Sequence, residues 1–164
     1  MRSVQSIPNK IFTLPQLQQQ IKRWRLLNKK IVFTNGVFDI LHQGHIASLS
    51  EAASHGNILI VGVNADASVK RLKGESRPVN DEQSRALLLA SLAMTDAVIV
   101  FEEDTPFNLI TAVMPDVLVK GGDYTIDTIA GAKEVIANGG EVMIAPILEG
   151  FSTTSIIERM KHNH

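Results

Sequence analysis

Short apolar runs rich in Val and Ile alternate along this chain with longer segments whose apolar residues recur at helical spacing. The runs Lys30–Thr34, Ile58–Val63, Ala97–Phe101, Asp116–Val119 and Glu141–Ala145 are bounded by Gly, Asn, Asp or Pro, which predicts five strands. They are nearly continuous in apolar character rather than alternating, as in strands covered on both faces. Between them, Gly44–His55 puts Ile46, Leu49, Ala52 and Ala53 on one helical face. Asp81–Leu92 opens on an acidic turn and carries Ala86, Leu87, Leu89, Ala90 and Leu92. Pro106–Val113 and Ala132–Asn138 predict shorter helices, the second stopped by Gly139-Gly140, and Thr153–Lys161 predicts a last one. This strand–helix rhythm predicts a doubly wound, Rossmann-like α/β domain around a parallel five-stranded sheet, with right-handed crossovers.

Residues 1–29 form a helical extension ahead of the domain at 30–164. Thr13 can cap a helix with Pro15 in its first turn, running to about Leu27, with Leu14, Leu17, Ile21, Trp24 and Leu27 as its apolar stripe. It is expected to pack on the domain or on a partner subunit.

At 164 residues, 45% hydrophobic and 20% charged, the chain suits one globular domain. A formal net charge of -1 excludes a bulk field that would draw nucleic acid or anionic lipid, so any phosphate recognition must be local. With no cysteine, disulfides, thiolate metal sites and a cysteine nucleophile drop out together, which fits a reducing compartment. Met1 to Lys10 lacks the apolar core of a signal peptide, and no apolar run approaches the ~20 residues of a membrane helix. A soluble cytoplasmic protein is expected.

In open α/β sheets ligands lie beyond the C-terminal strand ends, near the switch in strand order. There the chain reads Thr34-Asn35-Gly36-Val37-Phe38-Asp39-Ile40-Leu41-His42-Gln43-Gly44-His45. Gly36 lets an anion approach the backbone, and Gly44 does so at the start of a helix whose N–H groups favour negative charge. His42 and His45, at the helix start, can point their rings the same way and clamp a triphosphate. The bland alternative is two surface histidines; a zinc site lacks a spaced third ligand, so no protein metal site is expected. The P-loop, the dinucleotide-binding glycine turn and the nucleophile elbow are all missing. By residue pattern alone, Ser152-Thr153-Thr154 is compatible with a plain N-cap, and Lys120-Gly121-Gly122-Asp123 with a tight turn. Lys73 and Arg77 are equally compatible with solvated charges, and Arg85 with a salt-bridge partner. Asn64 and Asp66 are placed to cap a following helix.

Asn35-Gly36-Val37-Phe38-Asp39 with His42-Gln43-Gly44-His45 resembles the signature of the cytidylyltransferase-like nucleotidyltransferases. Val61 to Asp66, Arg71-Leu72-Lys73-Gly74, Arg77-Pro78-Val79, Phe101 to Pro106, Val119 to Tyr124 and Gly150 to Thr154 narrow the likeness. Together they resemble the D-glycero-β-D-manno-heptose 1-phosphate adenylyltransferases, over about Lys10 to Lys161. In many bacteria that activity is the C-terminal half of a bifunctional heptose kinase/adenylyltransferase, and a free-standing version is expected here. CTP-using members commonly carry an Arg shortly before Ser-Thr-Thr, where this chain has Ile147-Leu148-Glu149-Gly150. At the turn before the second strand, Gly56-Asn57 stands for the usual Gly-Asp.

The resemblance implies a nucleotidyltransferase-type fold and transfer of AMP from ATP to heptose 1-phosphate, giving ADP-heptose and pyrophosphate for lipopolysaccharide core precursors. It puts His42 and His45 on the transferring and leaving phosphates. Thr34, Asn35, Gly36, Val37, Phe38, Gly44 and Asn64 are implied around the nucleotide, with Asp39 bracing the loop. Lys120, Gly121, Gly122 and Asp123 line its pocket, and Ser152, Thr153 and Thr154 hold the β- and γ-phosphates. Lys73, grouped with the histidines as catalytic, and Arg77 are candidates for the sugar phosphate, with Lys70 behind them. Arg85 and Arg159 are further phosphate candidates. Mg²⁺ is expected to arrive on ATP, and a homodimer or higher homo-oligomer is expected. The competing expectations are a CTP-dependent transferase of polyol or amino-alcohol phosphates, and a nucleotide-binding regulatory module without turnover.

Overall fold

A computed structural model describes residues 6–146, 148 and 150–162. Ile147 and Glu149, on which the comparison with CTP-using members partly rests, lie outside the described residues, as do residues 1–5 of the segment weighed as a leader. The chain runs α1 (Leu14–Leu26), β1 (Ile31–Gly36), α2 (Gln43–Ser54), β2 (Ile58–Asn64), α3 (Asp66–Lys73), α4 (Glu82–Ala90) and β3 (Ala97–Phe101). It continues with α5 (Phe107–Val113), β4 (Val117–Gly121), α6 (Ala132–Ala137), β5 (Glu141–Ala145) and α7 (Thr153–His162). Single 3₁₀ turns occur at Pro8–Lys10 and Ile126–Thr128.

The five strands form one parallel sheet in the order β3-β2-β1-β4-β5. All five expected strands are present. β1 and β4 each start one residue later than predicted and extend two residues further, into the loops that form the site. α3 is an addition, because Lys73 sits at a helix end rather than on an open loop. Only Ser68 and Val69 of α3 are buried, so its charged sequence shows no apolar stripe. Ala65, not Asn64 or Asp66, occupies its N-cap position. Nor are all strands sealed on both faces: β5, at the sheet edge, is mostly half-buried or exposed.

Alternation along the strands divides the interior into two cores. Ile31 and Phe33 of β1 and Leu118 of β4 face α1, α5 and α6, packing with Leu17, Ile21, Leu109, Ile110 and Val135. Val32, Val117 and Val119 face α2 and α4, packing with Leu49, Ala52, Ala86 and Leu89. α1 therefore contributes Leu17 and Ile21 to the sheet's own core, and Thr13 N–H donates to Gln16 Oε1 at its start (3.0 Å). The Phe12 N–H donates to the Val98 carbonyl (2.9 Å), fastening the chain before α1 to β3.

β1 and β2 remain paired from Ile31 and Ile58 to Gly36 and Val63. β1 and β4 are paired only at Val32–Val117 and Phe33–Leu118. Beyond that point the sheet opens, at the place where strand order reverses. Among the described residues no helix is long and apolar enough to cross a membrane.

Candidate active site

The opening between β1 and β4 is the mouth of a cleft of about 530 Å³. The glycine turn at the end of β1 enters it, and Gly36 keeps it close-fitting: a Cβ there would lie 3.0 Å from the Phe38 ring, which would have to shift slightly. Phe38 itself has φ 49°, a left-handed conformation that costs a non-glycine residue ~1–2 kcal/mol. Burial of its ring, which meets His45 edge-on at 5.3 Å between centroids, offsets that cost.

Gln43 and Gly44 start α2, with His42 in the N-cap position. The His42 and His45 rings stack, with centroids 3.8 Å apart and planes inclined by 23°. Gly44 permits this, since a Cβ there would lie 3.1 Å from the His42 ring and 3.3 Å from Phe151 Cβ. Burial lowers the pKa of His42, and burial, His42 and Lys73 together push His45 down to about 4. The pair is therefore neutral at pH 7. Both Nδ1 atoms are buried without a protein partner. Two uncharged imidazoles thus stack at the N-terminus of α2, and His45 of the two lines the cleft.

Because the folded-state pKa values lie below the ordinary histidine value of 6.5, the unfolded chain binds protons first as pH falls. The stability owed to neutral histidines is complete above pH 6.5 and lost progressively toward about 4. Thermal melts at stepped pH should show that decline, with a shallower slope in His45→Gln. Parallel curves for the two proteins would contradict the burial of a neutral pair.

Asp39, 1% exposed, holds the loop beyond α3. It accepts from Arg77 Nε (2.7 Å) and from the N–H groups of Val79 (2.8 Å) and Asn80 (2.9 Å). Its own carbonyl accepts from Asn80 Nδ2 (2.7 Å). Burial alone would raise the Asp39 carboxyl, but the Asn80 and Val79 N–H groups and Arg77 outweigh it and keep its pKa below the ordinary value. Arg85 is a second brace. It is 0% exposed and donates to the carbonyls of Val37 (2.7 Å) and Asn80 (2.9 Å) and to Asp66 Oδ1 (2.6 Å). These bonds join the glycine turn to α3 and α4.

Of the residues singled out in the sequence, Asn35 to Asp39, His45, Asn64, Lys73, Arg77, Lys120, Gly121 and Thr153 line the cleft. Thr34, His42, Gly44, Gly122, Asp123, Ser152 and Thr154 adjoin it in the chain without lining it. Ser152 Oγ accepts from Ser155 N–H (3.0 Å), an N-cap bond at the start of α7. Arg85 stands apart: its guanidinium is buried beneath the loop, where it is bonded to protein groups and unavailable to a ligand. Arg159 Nε donates to the Ser155 carbonyl within α7 (3.3 Å). Leu72, Asp104, Thr105, Ile110, Tyr124 and Ile129 line the cleft without having been assigned roles. Asp104 accepts from Arg71 Nε (2.8 Å), tying α3 to the loop after β3. Leu72, Asp104, Thr105 and Tyr124 fall within segments that carry the resemblance, whereas Ile110 and Ile129 are brought to the cleft by the fold alone.

A cytidylyltransferase-like family model matches residues 33–159. The Bifunctional protein HldE of Rhodospirillum rubrum is 53% identical over 152 residues, which are 93% of this chain and 31% of that protein. That of Koribacter versatilis is 52% identical over 150 residues, 92% of this chain and 31% of that protein. The chain thus spans under a third of the length of these curated relatives. The crystal structure of the lipopolysaccharide core biosynthesis protein from Thermoplasma volcanium GSS1 is 33% identical, with a TM-score of 0.59 over 73% of this chain and 97% of that one. Pantoate-beta-alanine ligase from Francisella tularensis, solved with beta-gamma ATP and beta-alanine, shares the fold at 16% identity and a TM-score of 0.61, over 92% of this chain and 76% of that one.

Proposed function

Because the chain belongs to the cytidylyltransferase-like family, we propose that it transfers AMP from ATP to D-glycero-β-D-manno-heptose 1-phosphate, giving ADP-heptose and pyrophosphate. The carrying observation is the neutral, stacked His42–His45 pair at the start of α2, of which His45 lines the cleft together with Lys73 and Lys120. The identity to HldE proteins and the lipopolysaccharide core role named for the Thermoplasma relative support this acceptor.

An acceptor phosphate has its second pKa near ~6, so it is mostly ionised at neutral pH and needs no activating base. One of its oxygens bonds to the α-phosphorus of ATP as the bond from that phosphorus to the α–β bridging oxygen breaks. Pyrophosphate leaves with the bond's electrons. The protein's task is alignment and charge stabilisation. The His42 and His45 rings would meet the transferring and leaving phosphates, and the backbone of Gly36 to Phe38 would cradle them. Thr153 and the start of α7 would take the far end of the triphosphate. Among the described residues no cluster of three or more His, Cys, Asp or Glu side chains could hold a metal ion. Mg²⁺ would enter as the ATP complex, with phosphate oxygens and water as its ligands.

Pyrophosphate release, with ATP or CTP offered in turn and heptose 1-phosphate or glycerol 3-phosphate as acceptor, is the direct test. Release with ATP and heptose 1-phosphate is expected. Preference for CTP with glycerol 3-phosphate would assign the other transferase reading, and tight ATP binding without pyrophosphate from any pair would assign a regulatory module.

A further inference from the structure

The cleft has two chemically different walls. On the α2 side lie Phe38 and His45, with Thr153 of α7. The other wall follows from strand alternation. Phe33 and Leu118 face the α1, α5 and α6 core, so Asn35 and Lys120, two residues further along β1 and β4, project to that same side. There the cleft is lined by Thr105, Ile110, Tyr124 and Ile129, and Asp104, the carboxylate beside Thr105 in the lining, is paired with Arg71.

The cations lining the cleft are not equivalent. Arg77 is held by Asp39, and Lys73 lies close enough to His45 to depress its protonation. Lys120 is alone on the far wall. Its Nζ donates to Asn35 Oδ1 (3.3 Å) and lies 5.3 Å from the centre of the Tyr124 ring. Among the described residues no carboxylate lies within salt-bridge distance of it. Burial pushes its pKa below the ordinary lysine value, with no opposing anion to restore it. A cation desolvated this far, and answered only by an amide oxygen and a ring face, lacks its charge partner.

We propose that Lys120 binds the phosphate of the acceptor, on the wall opposite the histidines, and so selects phosphorylated over free sugar. This rests on the transferase reading above. It differs from the nucleotide role that the resemblance implies: it sets the acceptor phosphate across the cleft from His45 and Thr153, the wall to which the proposed function assigns the triphosphate. Tyr124, 43% exposed beside Lys120, provides a flat surface on which the sugar can rest.

The test uses the whole chain as wild type, Lys120→Met and Lys120→Arg. Calorimetry measures the binding of ATP, heptose 1-phosphate and unphosphorylated heptose. Lys120→Met should weaken heptose 1-phosphate binding by about ten- to a hundredfold, the usual worth of a hydrogen bond to a charged group. It should leave ATP affinity within about twofold and abolish the preference for phosphorylated sugar, while Lys120→Arg keeps part of that preference. The melting temperature of Lys120→Met should not fall, since a desolvated charge gives way to an apolar chain of similar length. Weakened ATP binding with heptose 1-phosphate affinity intact would overturn the proposal, as would a lowered melting temperature with both affinities reduced. Wild-type pyrophosphate release together with an unaltered Lys120→Met affinity would remove only the Lys120 assignment. Failure of the wild type to bind any sugar 1-phosphate would remove the transferase reading as well.

Discussion

His45→Ala is expected to leave the protein folded while turnover falls by about 10²–10³-fold, the usual cost of losing one preorganised donor to developing charge. The ring has little structural work that alanine would undo. It stacks on His42 and touches Phe38 edge-on, but its Nδ1 is buried with no protein partner, so truncation also removes an unsatisfied polar atom. Melting temperature should therefore change little. The informative readout is pyrophosphate release under saturating substrates, compared with kcat/KM for each substrate. Equal losses in kcat and kcat/KM would identify an interaction made only in the transition state. A wild-type rate would take the imidazole out of the mechanism.

Asp39→Ala should give the largest loss of stability. The substitution strands the Arg77 guanidinium and the N–H groups of Val79 and Asn80 without their shared acceptor. Removing one partner of a buried ion pair costs ~3–5 kcal/mol. For a domain of this size each kcal/mol moves the midpoint by ~2–4 °C, so a drop on the order of 10 °C is expected in a thermal melt. Asp39→Asn keeps the shape and one acceptor oxygen, and should fall between wild type and alanine. Equal melting of all three proteins would show that the loop is held by something else. The depressed Asp39 pKa gives the same contact a pH signature: its stabilisation is present above the ordinary aspartate value of 3.8 and lost as pH falls through the lower folded value.

How much of this could be read from the chain divides along a physical line. Strands with long apolar runs and helices with clear stripes were visible because the burial that creates them leaves a period in the sequence. The His42–His45 pair and its glycines were visible because they are contiguous, so spacing alone brings the rings together. α3 was hidden because it buries only Ser68 and Val69, too few positions to leave a stripe. The braces were hidden by distance: Arg77 meets Asp39, and Arg85 meets Val37, only after the β1–α2–β2 crossover has folded back. Arg85 shows the limit most clearly. In sequence it is a cation beside a candidate phosphate site, whereas in the fold its guanidinium is a buried fastener. Lys120 is the converse, a plain lysine in Val-Lys-Gly whose side-chain direction depends on the parity of a strand.

The early parting of β1 from β4 has a consequence independent of any side chain. Past Phe33 and Leu118, β1 stays paired with β2 but not with β4, so its main-chain polar groups on the β4 flank have no ladder partner. Groups of this kind cannot be deleted by substitution. A scaffold that offers them at the crevice keeps a constant grip while the surrounding side chains exchange, and this lets one architecture accept different cargo without rebuilding its hold.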